Sequence, residues 1–175
     1  MRLGDFRGGG RISIDANVLV YHLDASSPYQ PICSEFLRRI EPQQVHAVTS
    51  TLVVDEVIYA ILIHEGSPRL KTPRLAAIQK RILTSPEFAK QCYAAVGQVL
   101  DYLVLDYLEV LRLHGLSIFE ATFDIVKASL PLAVQHQLLP RDAIHASTCQ
   151  ALGIAHIATR DDHFTRLPFL RVWMP

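Results

Sequence analysis

The strongest constraint on the fold is an alternation. Short runs rich in apolar and β-branched residues recur at R-I-S-I (11–14), V-H-A-V-T (45–49), L-S-I-F-E-A-T (116–122), I-A-H-I-A-T (154–159) and L-R-V-W (170–173), and the stretches between them carry helical periodicity. Strands joined by helices rather than tight turns predict a mainly parallel sheet covered on both faces. The helical stretches are expected over Pro31–Ile40, Leu52–Ile63, about 87–113, Phe123–Gln137, and from Pro140 to Gly153. Pro140 suits a first helical turn, and Ser50 suits an N-cap. Gly66, Pro68 and Pro73 predict a loop, and Pro86 a break between two helices. Residues 1–10, ending in Gly8-Gly9-Gly10, read as a flexible lead-in to one domain over 11–175, with a helical middle segment at about 65–113.

The 175 residues suffice for one domain with a proper core, and a hydrophobic fraction of 50% argues against disorder. The most apolar stretch, Cys92 to Leu113, is interrupted by Asp101, Asp106, Glu109 and Arg112, so no membrane span is expected. The amino terminus has no apolar signal-peptide core, and Cys33, Cys92 and Cys149 are widely separated, which together point to the cytoplasm. Formal net charge is zero, so overall charge does not advertise a polyanionic partner. Locally, however, Gly66–Pro86 holds Arg69, Lys71, Arg74, Lys80 and Arg81 without an acid, either a solvated helix face or a strip for phosphate backbones. The triple glycine precedes a strand, whereas a phosphate-cradling loop follows one.

Four acids stand where chemistry could gather. Asp15 follows the first strand and Asp161 the fourth, the end of a parallel sheet at which ligands bind, although Asp is also a common cap or turn residue. Glu56 is a charge within the apolar helical run V-V-D-E-V-I, with Asp55 about 100° away around the helix. Asp142 falls in the first turn after Pro140, where the positive helix end favours an ionised carboxylate. Carboxylates brought close together are tolerated best around a cation, and oxygen ligands suit hard ions.

In order, I-S-I-D-A-N, T-S-T-L-V-V-D-E-V, L-L-P-R-D-A-I-H and I-A-T-R-D-D-H-F resemble the four motifs of the PIN-domain family of metal-dependent nucleases, and within it the VapC-type toxin ribonucleases. The resemblance runs from about Arg11 to Trp173. It implies a three-layer α/β/α sandwich and a catalytic, metal-binding quartet of Asp15, Glu56, Asp142 and Asp161, with Asp162 a further ligand and Asn17, Thr159 and His163 in support. It further implies one or two Mg2+ or Mn2+ ions and endonucleolytic hydrolysis of RNA through activated water, leaving a 5′-phosphate and a 3′-hydroxyl. A small antitoxin and a second copy of the chain are the implied protein partners, and Arg141, Arg160, Arg69, Lys71 and Arg74 are candidates for contact with substrate phosphate. The chain departs from the family pattern at His163, where the fourth motif often carries a second Asp, so His163 is placed either to leave the second ion to Asp162 or to meet phosphate.

Two other functions compete. A haloacid dehalogenase-like phosphatase also places an Asp after its first strand, but needs a second Asp two residues on, where this chain has Asn17. A catalytically silent module holding RNA or a protein would keep the fold without the reaction. Among the eight histidines, no pair has the close spacing plus third ligand of a zinc site. His145, one turn after Asp142, is placed to approach the site but reads first as a packed or surface residue, and His156, in a strand, as a core or edge residue. Ser147 and Thr148 lack an obvious base for nucleophilic catalysis.

Overall fold

A computed structural model describes residues 1–40, 42–98 and 116–175. These fall into two compact units, one of Met1–Val54 with His114–Pro175 and the other of Asp55–Leu113.

The first unit holds a five-stranded sheet of β1 (Arg11–Ile14), β2 (His46–Ser50), β3 (Leu116–Phe119), β4 (His156–Ala158) and β5 (Arg171–Trp173). Its order is β3-β2-β1-β4-β5, and all four pairings are parallel, as the alternation of strands and helices predicts. Helices α1 (Ala16–Leu23) and α2 (Gln30–Arg38) lie between β1 and β2, and α6 (Phe123–His136) and α7 (Pro140–Ala151) between β3 and β4. Alternate strand residues serve different cores. Ile157 and Val172 pack with Ala143, Ala146 and Cys149 of α7, while His156 and Trp173 meet Phe6, which also touches Phe36 of α2. The hydrogen bond from the Trp173 indole to His156 Nδ1, 3.0 Å long, places His156 as a packing residue.

Residues 1–10 depart from the expected flexible lead-in. Leu3 and Phe6 are fully buried, Leu3 N donates to Met174 O at 2.7 Å, and the Met1 amino group donates to Val172 O at 3.0 Å. Burying two large apolar side chains gains more than a free tail gains in entropy. Gly8, Gly9 and Gly10, all at positive φ, lead the chain into β1 through a backbone conformation that suits glycine.

The second unit is helical. Helix α3 (Thr51–Leu70) begins in the first unit, where Val53 N approaches the Ser50 hydroxyl at 3.4 Å, and continues into the second. It overruns the predicted end at Ile63 and passes through Gly66 and Pro68. Pro68 sits in the last turn, so its missing N–H and its ring clash disturb one turn only. Gly66 is there for contact, because a Cβ at that position would lie 2.5 Å from Ile78 Cγ2 of α4 (Leu75–Thr84). The next helix, α5, is described over residues 86–98, and the remainder of the predicted 87–113 helix lies outside the described residues.

Candidate functional site

Strand order reverses between β1 and β4, and open parallel sheets bind ligands in the crevice that such a reversal opens at the carboxyl ends of the strands. Asp15 is the first residue after β1 and its N–H donates to Ala158 O of β4 at 3.0 Å, so its carboxylate sits at the mouth of this crevice. One oxygen caps α1, accepting from Ala16 N at 2.7 Å. The other accepts from two side chains, the Thr159 hydroxyl and the Asn17 amide.

Thr159 organises the crevice. Its residue is wholly buried, and its hydroxyl donates to Asp15 while accepting from Asn17 Nδ2 and from Asp161 N, each at 3.0 Å. All of the bonding capacity of that hydroxyl is used. Asn17 Oδ1 in turn accepts from Arg160 N at 3.1 Å. The Asp15 carboxylate and the Asp161 backbone are thus fastened through one hydroxyl. Asn17, occupied in this way, is an amide brace and not the acid a phosphatase would need.

The second cluster comprises Asp142, Asp161 and His163. Pro140 opens α7 and puts Asp142 in its first turn. Asp161 caps a short 3-10 helix (Asp162–Arg166), accepting from His163 N at 2.8 Å, and this turn folds the His163 ring back toward the acids. His163 Nδ1 lies 3.3 Å from Asp161 Oδ1 and 3.6 Å from Asp142 Oδ2. One ligand atom from each of the three residues lies within 4.8 Å of the others. Asp142 Oδ2 is buried without a hydrogen-bond partner among the described residues. Burial, and then the charge of Asp161, pushes the Asp142 carboxyl above its ordinary value, while His163 and His145 pull it back. A buried orphan oxygen beside a second carboxylate and an imidazole is a donor set suited to a divalent cation.

Asp162 is exposed and outside the cluster, so it is His163 that the fold brings to the acids. Glu56 stands in the second turn of α3, half-buried in the second unit, with Asp55 exposed beside it in sequence. Arg141 is exposed in the first turn of α7. Arg69 pairs with Glu65 at 2.9 Å, and Lys71 and Arg74 lie between α3 and α4, all in the second unit. Ser147 and Thr148 donate to the carbonyls of Ile125 and Ile144.

Three features exceed the sequence reading. His145 is buried, with a ring nitrogen within 4.8 Å of an Asp15 carboxylate oxygen, and its spacing of three from Asp142 on one helix was the available signal. Arg160 lies over the Tyr29 ring at 5.5 Å and donates to its hydroxyl at 3.2 Å, while Tyr29 meets Tyr21 at 5.0 Å. Cys149 lies buried beside Ser13, and burial pushes its thiol up to about 11, which leaves it inert.

This geometry agrees with comparison to known proteins. A family model described as PIN domain matches residues 12–170. The chain belongs to the PIN-domain family. This PIN-domain chain is similar to a Methanocaldococcus jannaschii protein named ribonuclease VapC2, 26% identical over 166 residues, or 93% of this chain and 92% of that one. Its fold is similar to that of Mycobacterium tuberculosis VapC20, described as a sarcin-ricin loop cleaving toxin, with TM-score 0.56 and 14% identity over 91% of this chain and 96% of that one. It is also similar to a chain of VapBC2 from Rickettsia felis, solved bound to a DNA fragment from its promoter, with TM-score 0.55 and 14% identity over 95% and 99% of the two chains. At such identities the two structures speak for the shared fold.

Proposed function

We propose that this PIN-domain protein is a divalent-metal-dependent endoribonuclease acting as the toxin of a toxin–antitoxin pair in the cytoplasm. The observation that carries the reading is the buried Asp142 Oδ2, without a hydrogen-bond partner among the described residues, beside Asp161 and His163. The similarity to a protein named ribonuclease VapC2 supports RNA as the substrate. The family match over residues 12–170 supports treating 11–175 as one PIN domain that includes the helical middle segment. Among the described residues no helix is long and apolar enough to cross a membrane, and the three buried free cysteines suit a reducing compartment.

In this reading Asp142 and Asp161 hold Mg2+ or Mn2+, Asp15 is a further ligand, and Glu56 completes the acidic quartet. A bound ion supplies Lewis-acid polarisation of a phosphoryl oxygen and activation of water. The residues of the chain then do the positioning. Thr159 and Asn17 lock the Asp15 carboxylate, so that no rotamer search precedes reaction. Arg160 keeps its charge at the crevice rim, held by Tyr29, where it can take a substrate phosphate. Arg141 is proposed for the same task. The antitoxin and a second copy are the proposed protein partners. Phe123, Leu130 and Val134 stand 79%, 63% and 83% exposed along α6, and their spacing forms a stripe that a second copy would cover.

The test is cleavage of single-stranded RNA by the pure protein with Mn2+, run beside Asp15→Asn. Wild type should cleave and leave 5′-phosphate ends, and the variant should be at least about a hundredfold slower. Absence of cleavage, or equal cleavage by Asp15→Asn, overturns the proposal.

A further inference from the structure

The metal-dependent reading leaves open which ion the site prefers, and His163 bears on that choice. The residue replaces a carboxylate of the family pattern, and the structure does not turn it away. The Asp161 cap on His163 N fixes the turn, and the imidazole Nδ1 points between the two acids, 3.3 Å from Asp161 Oδ1 and 3.6 Å from Asp142 Oδ2. Around an octahedral ion with bonds of about 2.1 Å, neighbouring ligand atoms stand about 3 Å apart. The observed separations are close to that spacing, and Asp142 Oδ2 has no other partner among the described residues. His163 is also 39% exposed on its side chain, so an ion has a route in.

We propose that His163 Nδ1 is a direct ligand to the divalent ion held by Asp142 and Asp161, and that this nitrogen makes the site select Mn2+ over Mg2+. The inference rests on the metal-dependent reading and deepens it. Mg2+ binds oxygen almost exclusively and keeps much of its water, whereas a neutral imidazole suits transition ions. Replacing a carboxylate oxygen by an imidazole nitrogen weakens Mg2+, which is held by oxygen, more than Mn2+, a transition ion that takes nitrogen more readily. Asp162 is exposed and does not restore the missing oxygen.

The experiment needs no RNA. The full chain is loaded with Mn2+ alone and examined by electron spin-echo envelope modulation, and Mn2+ and Mg2+ affinities are measured by titration and competition. Wild type should show nitrogen coupling that shifts on incorporation of 15N-histidine. His163→Asp should lose the coupling and lower the Mn2+ over Mg2+ preference by about tenfold. His145→Gln should keep both, which separates the nearby buried imidazole from the proposed one. A wild-type Mn2+ complex without nitrogen coupling overturns the inference. So does coupling that survives His163→Asp and disappears in His145→Gln, or an ion preference that His163→Asp leaves unchanged. Should His163→Asp fail to fold, the wild-type 15N shift and its persistence in His145→Gln still decide the question. A chain that shows the coupling but never cleaves RNA would lose the ribonuclease reading and keep this one.

Discussion

Replacing Thr159 by Val keeps the shape of the side chain and deletes one hydroxyl from the centre of the crevice. Three hydrogen bonds go with it, the donated one to Asp15 and the two accepted from Asn17 Nδ2 and Asp161 N. A bond to a charged acceptor contributes about 1.5–3 kcal/mol, and stranding a buried N–H costs about 1–3 kcal/mol. Asn17 keeps its bond to Asp15, and Asp161 is only part-buried, so the second contribution belongs at the low end. The expected loss is about 3 kcal/mol, a large part of the total of about 5–15 kcal/mol for a typical domain. Urea unfolding of the metal-free protein should show a lower midpoint with an unchanged slope. Thr159→Ser retains the hydroxyl and gives up one methyl, so it should lose only about 1 kcal/mol. Two results would refute this account. One is Thr159→Val within about 0.5 kcal/mol of wild type, the scatter of ordinary surface changes. The other is Thr159→Ser as damaging as Thr159→Val, which would assign the effect to packing.

Three further outcomes are expected. Mn2+ at a hundred times its dissociation constant should stabilise the protein by about 2.7 kcal/mol, and Asp142→Asn should abolish most of that gain in a thermal melt. Gly66→Ala should destabilise by about 1–3 kcal/mol, despite the better helix propensity of Ala, because the new Cβ meets Ile78 Cγ2, and adding Ile78→Ala should make the two changes markedly non-additive in urea unfolding. Burial, helped by the charge of Arg38, holds the His22 imidazole below its ordinary 6.5, so the unfolded chain binds the extra proton more readily than the folded one. The corresponding stability is present above pH 6.5 and lost as pH falls through the folded-state value, so His22→Gln should flatten the decline measured between about pH 7 and pH 5.

The sheet was legible because its strands are short, apolar and bounded, and the positions of Asp15 and Asp161 follow once the strands are placed. Asp142 was legible as a first-turn acid because Pro140 announces the helix. Its encounter with His163 was not, since it depends on how a capped 3-10 turn meets a helix about twenty residues earlier in the chain, and no local pattern encodes that meeting. Gly66 and Pro68 misled for a related reason. Read locally they break helices, yet Gly66 answers to Ile78 and Pro68 falls where little backbone bonding remains to be lost. Leu3 and Phe6 were overlooked because a glycine run after them suggested a tail, although two large hydrophobes so near a chain end are reason to look for a surface they cover.

The position of β1 has a consequence for the order of events in folding. It is the middle strand, made first, and one of its two neighbours, β4, is made some 140 residues later, with Thr159 reaching Asp15 across a separation of 144. A chain still being synthesised holds Asp15 with its neighbours Ala16 and Asn17 but not yet the Thr159 hydroxyl, and the closure that joins the two ends is entropically slow. Until β4 docks beside β1, the crevice does not exist. A fragment that stops short of Thr159 carries the first three acids and lacks the strand end that builds the crevice.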